Sequence, residues 1–289
     1  MFFETIIWPL LYALGNSTLR RYIAHRIQAG SHYYATETQA LRANLNRYLP
    51  VADVESACQE LRLVHLIDRS DPFCSFLRFK KSFKNDLVCN TLPPSDQACL
   101  VLSAHRGNGW WVLPLLNSQG EPVHLVSAPL SRPQSLRAFL YYPYALLRWH
   151  QMNSIGGAPL IHMRGASQKM REIFHNHGRV IATIDIPPVL AKNCSPVTFF
   201  GQTAYMPRQA IDNAIAEHAK LFFSTGDLNP QTLKQEIKFT EIDTTQGAQF
   251  AFQHYAALLE QAIKARPGAW HAWGHVDLFF QNDSTPNVG

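Results

Sequence analysis

Several features are missing from this 289-residue chain, and each absence removes a class of protein. Its five cysteines, at 58, 74, 89, 99 and 194, form no C-x-x-C pair and leave an odd count. Neither a disulfide framework nor a zinc ribbon is expected, and a reducing, cytosolic compartment is. There is no Walker A loop, no G-x-S-x-G elbow, no G-x-G-x-x-G after a strand and no H-E-x-x-H, which sets aside the commonest nucleotide, hydrolase and zinc-peptidase signatures. His271 and His275 fall at helical spacing, but Pro267, Trp270 and Gly274 around them argue against a zinc-binding helix. No internal repeat, low-complexity block or linker forces a second domain. The apolar segment at residues 2–15 is interrupted by Glu4 and Pro9 and falls short of the roughly 20 residues that span a bilayer. It is followed, not preceded, by Arg20, Arg21 and Arg26, the wrong order for a signal peptide.

What is present describes a folded protein. Hydrophobic residues make up 46% and charged residues 16% of the chain, ordinary values for a packed core. The net charge of +5 is a modest basic excess, compatible with an anionic membrane surface, an acidic carrier protein or nucleic acid. Arg78, Lys80, Lys81 and Lys84, interleaved with Phe79 and Phe83, concentrate that charge. Without a nucleic-acid-binding module, lipid headgroups or an acidic carrier are the preferred partners, and nucleic acid is not expected. The 2–15 segment, with Trp8 and Tyr12, reads either as an interfacial helix whose arginines lie at the headgroups or as a helix packed on the protein's own core.

Residues 17–64 read as helices, with Leu41, Leu45 and Tyr48 on one face and Pro50 as a stop. From residue 98 onward short apolar runs alternate with helical stretches. Strands are expected at 98–104, 123–127, 158–162, 180–185 and 220–224, and helices at 110–116, 133–150, 168–176, 208–217 and 246–264. That alternation predicts an α/β fold with a central, mostly parallel sheet flanked by helices and preceded by an N-terminal helical segment. The division expected is 1–40 for that segment, 41–281 for the α/β domain and 282–289 for a flexible tail.

Chemistry is expected where strands end. His105 directly follows the 98–104 run, where an imidazole can take a proton from an attacking hydroxyl or amine; a structural histidine is the alternative. Arg106 is a candidate for binding phosphate or carboxylate. Asn108 is placed either to orient the imidazole or to cap the next helix. Asp185 ends the 180–185 run and faces the same crevice if the strands are parallel, as an acid or orienting group or merely as a loop-starting aspartate. Arg164, after the 158–162 strand, is a further cation on that edge.

These stretches occur in an order that resembles the late acyltransferases of lipid A synthesis, within the glycerolipid acyltransferase superfamily. Leu41-Arg42-Ala43-Asn44-Leu45 followed by Pro50 resembles the early R-x-N-L helix, and His105-Arg106-Gly107-Asn108 the H-x-G-N block. Gly178-Arg179-Val180 through Asp185 is similar to the G-x-V…D strand. Phe199-Phe200-Gly201 resembles the F-F-G turn, and Pro267-Gly268-Ala269-Trp270-His271-Ala272-Trp273 the C-terminal P-x-x-W-x-W signature. The resemblance covers roughly residues 40–275.

It implies a glycerolipid acyltransferase-like fold and an acyltransferase at the cytoplasmic face of the inner membrane of a Gram-negative bacterium. The acyl group would pass from an acyl-carrier-protein thioester to a hydroxyl or amine on a lipid or pathway intermediate, with no metal or other cofactor. His105 would be the general base. Arg106 and Arg164 would bind anionic groups, and Trp110 and Trp111 would line the donor-chain groove. The family's H-x4-(D/E) acid is absent, since position 110 is Trp, and its R-x-G arginine is absent from 153–157. Asn108, or alternatively Asp185, would therefore orient His105. This departure favours an unusual acceptor or donor, as in lipid A aminoacyl (glycyl) transferases or polyene-pathway acyltransferases. A catalytically inactive homologue that binds lipid or carrier protein is the further alternative.

Overall fold

The apolar run after Ala98 forms a strand buried along its whole length, Cys99–Ser103, as a parallel strand covered on both faces requires. It is the middle strand of a seven-stranded sheet in the computed structural model, which describes residues 2–281 apart from 51, 108, 131, 132, 164 and 192. In chain order, a π-helical turn (Phe3–Ile7) leads into α1 (Trp8–Leu14), α2 (Ser17–Ala29), α3 (Ala35–Tyr48) and the long α4 (Val54–Asn85). There follow β1 (Leu87–Cys89), β2 (Cys99–Ser103), α5 (Val112–Asn117), β3 (Val123–Ser127), α6 (Leu136–Ile155), β4 (Ile161–His162), α7 (Ala166–His175) and β5 (Arg179–Thr183). A hairpin of β6 (Cys194–Phe199) and β7 (Gln202–Pro207) precedes α8 (Gln209–Ala216), β8 (Lys220–Leu228), β9 (Gln235–Ile242) and α9 (Ala248–Ala265). Short 3-10 segments, Pro267–Ala269 and His271–Phe280, complete the described chain.

The sheet order is β1-β9-β8-β2-β5-β3-β4. Every pairing is parallel except β8 with β9, so the molecule is α/β with a mostly parallel sheet flanked by helices. All five expected strands form, the one at 123–127 with the expected ends and the others with shifted ends. The one expected at 158–162 contracts to Ile161–His162 because Pro159 has no N–H for a ladder. The helix expected at 133–150 starts instead at Leu136, where Ser135 Oγ caps by accepting the Ala138 N–H at 3.1 Å, and runs on to Ile155.

Three features were not foreseen. Helix α4 continues past residue 64 to Asn85 with Pro72 inside it. Strands β1 and β9 add an edge to the sheet. The β6–β7 hairpin turns through Phe200 and Gly201, both at positive φ (48° and 71°), the geometry of a two-residue type I′ loop. Residue 40, the expected segment boundary, lies inside α3, and the expected tail at 282–289 lies outside the described residues.

The N-terminal segment is packed on the body of the protein. Pro9, Tyr12 and Ala13 are buried, and α1 lies against α4. Glu4 clasps the segment down: its carboxylate accepts the Tyr34 N–H at 2.6 Å and its carbonyl accepts the Tyr34 hydroxyl at 3.0 Å. The opposite face stays apolar and open, with Phe3 64% and Leu14 63% exposed. The reading of this segment as a helix packed on the protein's own core describes its buried side. Among the described residues no helix is long and apolar enough to cross a membrane.

Register positions the site. Ser103 of β2 pairs with Thr183 of β5, so the residues two positions beyond each, His105 and Asp185, emerge side by side at the carboxyl edge of the sheet. The chain leaving β2 then passes against β8: Gly107 has φ of +57°, and a Cβ there would sit 1.6 Å from the Gly226 carbonyl oxygen. Replacing Gly107 by alanine combines a strained backbone with a clash against main chain. It is expected to cost about 2–4 kcal/mol in denaturant unfolding, and a loss under 1 kcal/mol would show that the two backbones are not held in this contact.

Candidate active site

His105 and Asp185 form a dyad. The carboxylate, fully buried, lies 3.0 Å from the imidazole Nδ1. A carboxylate is an acceptor, so Nδ1 carries the proton and Nε2 is left with its lone pair. Asp185 also accepts the His105 backbone N–H, at 3.0 Å to each oxygen, and the Trp270 indole N–H at 3.0 Å. Three N–H donors therefore satisfy a group whose burial would otherwise be costly. The imidazole side chain remains 55% exposed, facing open space.

The charge of Asp185 raises the pKa of His105 above its ordinary 6.5, against the opposing effect of burial, and the hydrogen bonds to Asp185 add to the rise. A raised histidine pKa favours the folded state fully below pH 6.5, and that contribution is lost as pH climbs through the folded-state value. The same shift makes Nε2 a stronger base once neutral.

The C-terminal segment clamps the loop. Gly107 N–H donates to the Ala269 carbonyl at 2.6 Å, and His271 N–H to the His105 carbonyl at 2.8 Å. His271 Nε2 lies 3.1 Å from the Gly107 carbonyl, so it donates there. Trp270 is held by packing: Phe199, Phe200, Trp273 and Phe279 all lie within 6.3 Å of one another or of its ring in this cluster. Asn44 of α3 donates to the Trp273 carbonyl at 2.8 Å. The short motifs singled out in the sequence thus converge on one job, the placement of the Trp270 indole beneath Asp185.

The dyad opens into a cavity of about 1040 Å³, at the upper end of the roughly 300–1,000 Å³ common for ligand sites. Its wall is largely apolar, including Leu113, Leu125, Met152, Ile155, Met163, Met170 and Ile184. Three ionisable side chains not named as site residues from the sequence share it with His105: Asp68, Arg148 and His271. Asp68 and Arg148 face one another across α4 and α6, with nitrogen to oxygen distances of 3.3 and 3.5 Å. Against the upward effect of burial, the positive charge of Arg148 and its hydrogen bonds hold Asp68 below the usual carboxylate range. Burial lowers the pKa of His271 and, more strongly, of the neighbouring His65. A signal for Arg148 was present in the sequence, as one of few charges in the aromatic helix from Phe139 to Trp149.

The other expected site residues divide clearly. Trp110 lines the cavity, its indole N–H donated to Ser75 Oγ at 2.7 Å. Trp111 does not; it is 1% exposed and packs on Phe79, because the turn after Gly109 directs adjacent residues to different sides. Arg106 is not offered to an anion, since its guanidinium is buried against Asp227 at 2.8 Å and the Ala262 carbonyl at 2.9 Å. Asp185 is found on the imidazole. Asn108 and Arg164 lie outside the described residues. Compared with known protein families and with curated protein sequences, the chain matches none.

Removing the charge of Asp185 tests the dyad directly. In Asp185→Asn the midpoint of the His105 Cε1–H titration is expected to fall from its raised position toward 6.5. An unchanged titration midpoint would mean that the carboxylate is not what shifts the imidazole.

Proposed function

We propose that the protein is an acyltransferase of the glycerolipid acyltransferase-like type, moving an acyl group from a carrier-protein thioester to a hydroxyl or amine. The observation that carries this reading is the His105–Asp185 dyad, with Nε2 free, at the opening of a large apolar cavity. The resemblance to the late acyltransferases of lipid A synthesis supplies the donor class, and the dyad supplies the acid that the five-residue spacing lacks. In this scheme Nε2 takes the acceptor proton as the acceptor attacks the thioester carbonyl, and the imidazolium formed is stabilised by Asp185. Collapse of the tetrahedral intermediate breaks the carbon–sulfur bond, and the imidazolium returns its proton to the leaving thiolate. The chain of the acyl group occupies the apolar cavity.

A dyad with its orienting carboxylate in place favours catalysis over a purely binding role, because losing that carboxylate in a fixed serine-protease triad costs about 10⁴ in rate. A lipid or lipid-linked acceptor fits the surface. Phe76 and Leu77 of α4 are exposed beside Lys80, Lys81 and Lys84, and Phe2, Phe3 and Leu14 add apolar area at the N-terminus. Apolar side chains rimmed by lysines suit peripheral association with an anionic membrane, which on the resemblance is the cytoplasmic face of the inner membrane.

With a panel of acyl and aminoacyl carrier proteins and a lipid extract, His105→Ala is expected to slow thioester consumption by about 10²–10⁴. Turnover within about threefold of the parent would remove His105 as the base. Replacing Phe2, Phe3 and Leu14 together by serine is expected to weaken partition onto anionic vesicles by about tenfold or more. Equal partition would assign those side chains no part in membrane contact.

A further inference from the structure

Arg148 is the second feature of the cavity that its apolar wall does not explain. A guanidinium carries five N–H donors in a plane; two nitrogens of Arg148 reach Asp68, at 3.3 and 3.5 Å, and the Tyr144 side chain is a further neighbour. Its side chain is 33% exposed, and it faces the same space as His105. The plane is steadied by Trp110, whose ring centroid lies 5.3 Å from the guanidinium carbon, a cation–π arrangement. Among the described residues two guanidinium groups border the cavity, and that of Arg106 is buried against Asp227 and a backbone carbonyl with its side chain 3% exposed. Arg148 is the one that a ligand in the cavity can reach.

Charge balance states what such a group can take. At rest Arg148 is compensated by Asp68, and the neutral imidazole of His105 beside ionised Asp185 leaves that dyad one negative charge; a neutral ligand enters without changing this balance. When acceptor attack moves a proton to Nε2, one positive charge appears on the imidazole and one negative charge on the former carbonyl oxygen. A cation already paired with a carboxylate holds a neutral carbonyl weakly and an oxyanion strongly, which is the differential that accelerates a reaction.

We infer that Arg148, steadied by Asp68 and Trp110, receives the oxyanion of the tetrahedral intermediate. This deepens the acyl-transfer reading and rests on it. The electron pair of the carbonyl π bond moves to oxygen as the acceptor–carbon bond forms, Arg148 N–H groups hold that oxygen, and the pair returns as the carbon–sulfur bond breaks. Arg148 is then a catalytic residue and Asp68 a positioning residue that acts through it.

The test uses the full chain and two probes on the same decyl chain: the monomethyl ester of decylphosphonic acid, a tetrahedral monoanion, and decanol. Binding is read by calorimetry. The parent is expected to prefer the anion by at least about tenfold, the scale of one charge-assisted contact. Arg148→Gln should bring the two affinities within about twofold while leaving decanol binding within about threefold of the parent, which also reports an intact cavity. Asp68→Asn should tighten the anion, because the guanidinium loses its competing counter-charge; a merely structural ion pair would move both variants the same way.

In turnover, Arg148→Gln should lower kcat by about 10²–10³ with little change in KM. A parent without preference for the anion, or an Arg148→Gln variant that keeps it, would overturn the assignment. If His105→Ala turns over normally while Arg148→Gln still erases the anion preference, the acyl-transfer reading falls and Arg148 remains an anion receptor. If His105→Ala abolishes turnover while Arg148→Gln keeps both the preference and kcat, the reaction stands and the oxyanion is held elsewhere.

Discussion

Everything about the site depends on one buried carboxylate. Asp185 has no solvent contact and three N–H donors, two from His105 and one from Trp270. Stripping water from an ionised carboxylate costs several kcal/mol unless such donors replace it. Those donors are supplied by parts of the chain 80 and 85 residues away, so the dyad exists only when the sheet and the C-terminal segment are both assembled. The Trp270 indole is in turn fixed by a cluster of aromatic rings, where truncation of a single Trp or Phe costs about 3–5 kcal/mol. Apolar burial on the far side of the segment is thereby converted into the position of one polar atom pair.

Hydrogen bonds between the 105–107 loop and residues 269–271 complete that conversion. They tie the loop after β2 to the chain after α9 through two backbone bonds and a side-chain bond from His271. The loop carries a left-handed glycine pressed against β8, a conformation that persists only where the surroundings fix it. Rigidity at this point keeps Nε2 directed outward, and the absence of packing above the imidazole keeps it reachable. The Asp68–Arg148 pair lies on the opposite elements, α4 and α6, so the two charged sets of the cavity belong to different structural layers.

Much of the fold was legible in the sequence because parallel strands buried on both faces read as short apolar runs bounded by turns. Cys99–Ser103, Val123–Ser127 and Arg179–Thr183 all announced themselves this way. Edge elements did not. The pattern Gln235–Ile242 mixes buried and exposed positions, and β1 is three residues long, so neither stands out from loop. Helix α4 passes through Pro72 on the strength of tertiary packing, which local propensity does not contain. At the site, His105 and Asp185 could be named from their place at strand ends, whereas Arg106 looked free because nothing local reveals Asp227 as its partner. The partnership of Asp68 with Arg148 was hidden for the same reason: nothing local to either helix shows that the two meet.

The pairing of β2 with β5 has a consequence for how such sites arise. Between Ser103 and Thr183 lie three helices, two further strands and several loops, none of which enters the geometry of the dyad. Only the ladder does, since a shift of one position along it would turn His105 and Asp185 to opposite faces. The acid is therefore addressed by its neighbour in space, and the intervening chain is free to lengthen or shorten. A base at one strand end can thus be oriented by a carboxylate from the adjoining strand, whatever stands a few residues downstream of it, and here that nearby position is occupied by Trp110, whose ring lies against Arg148.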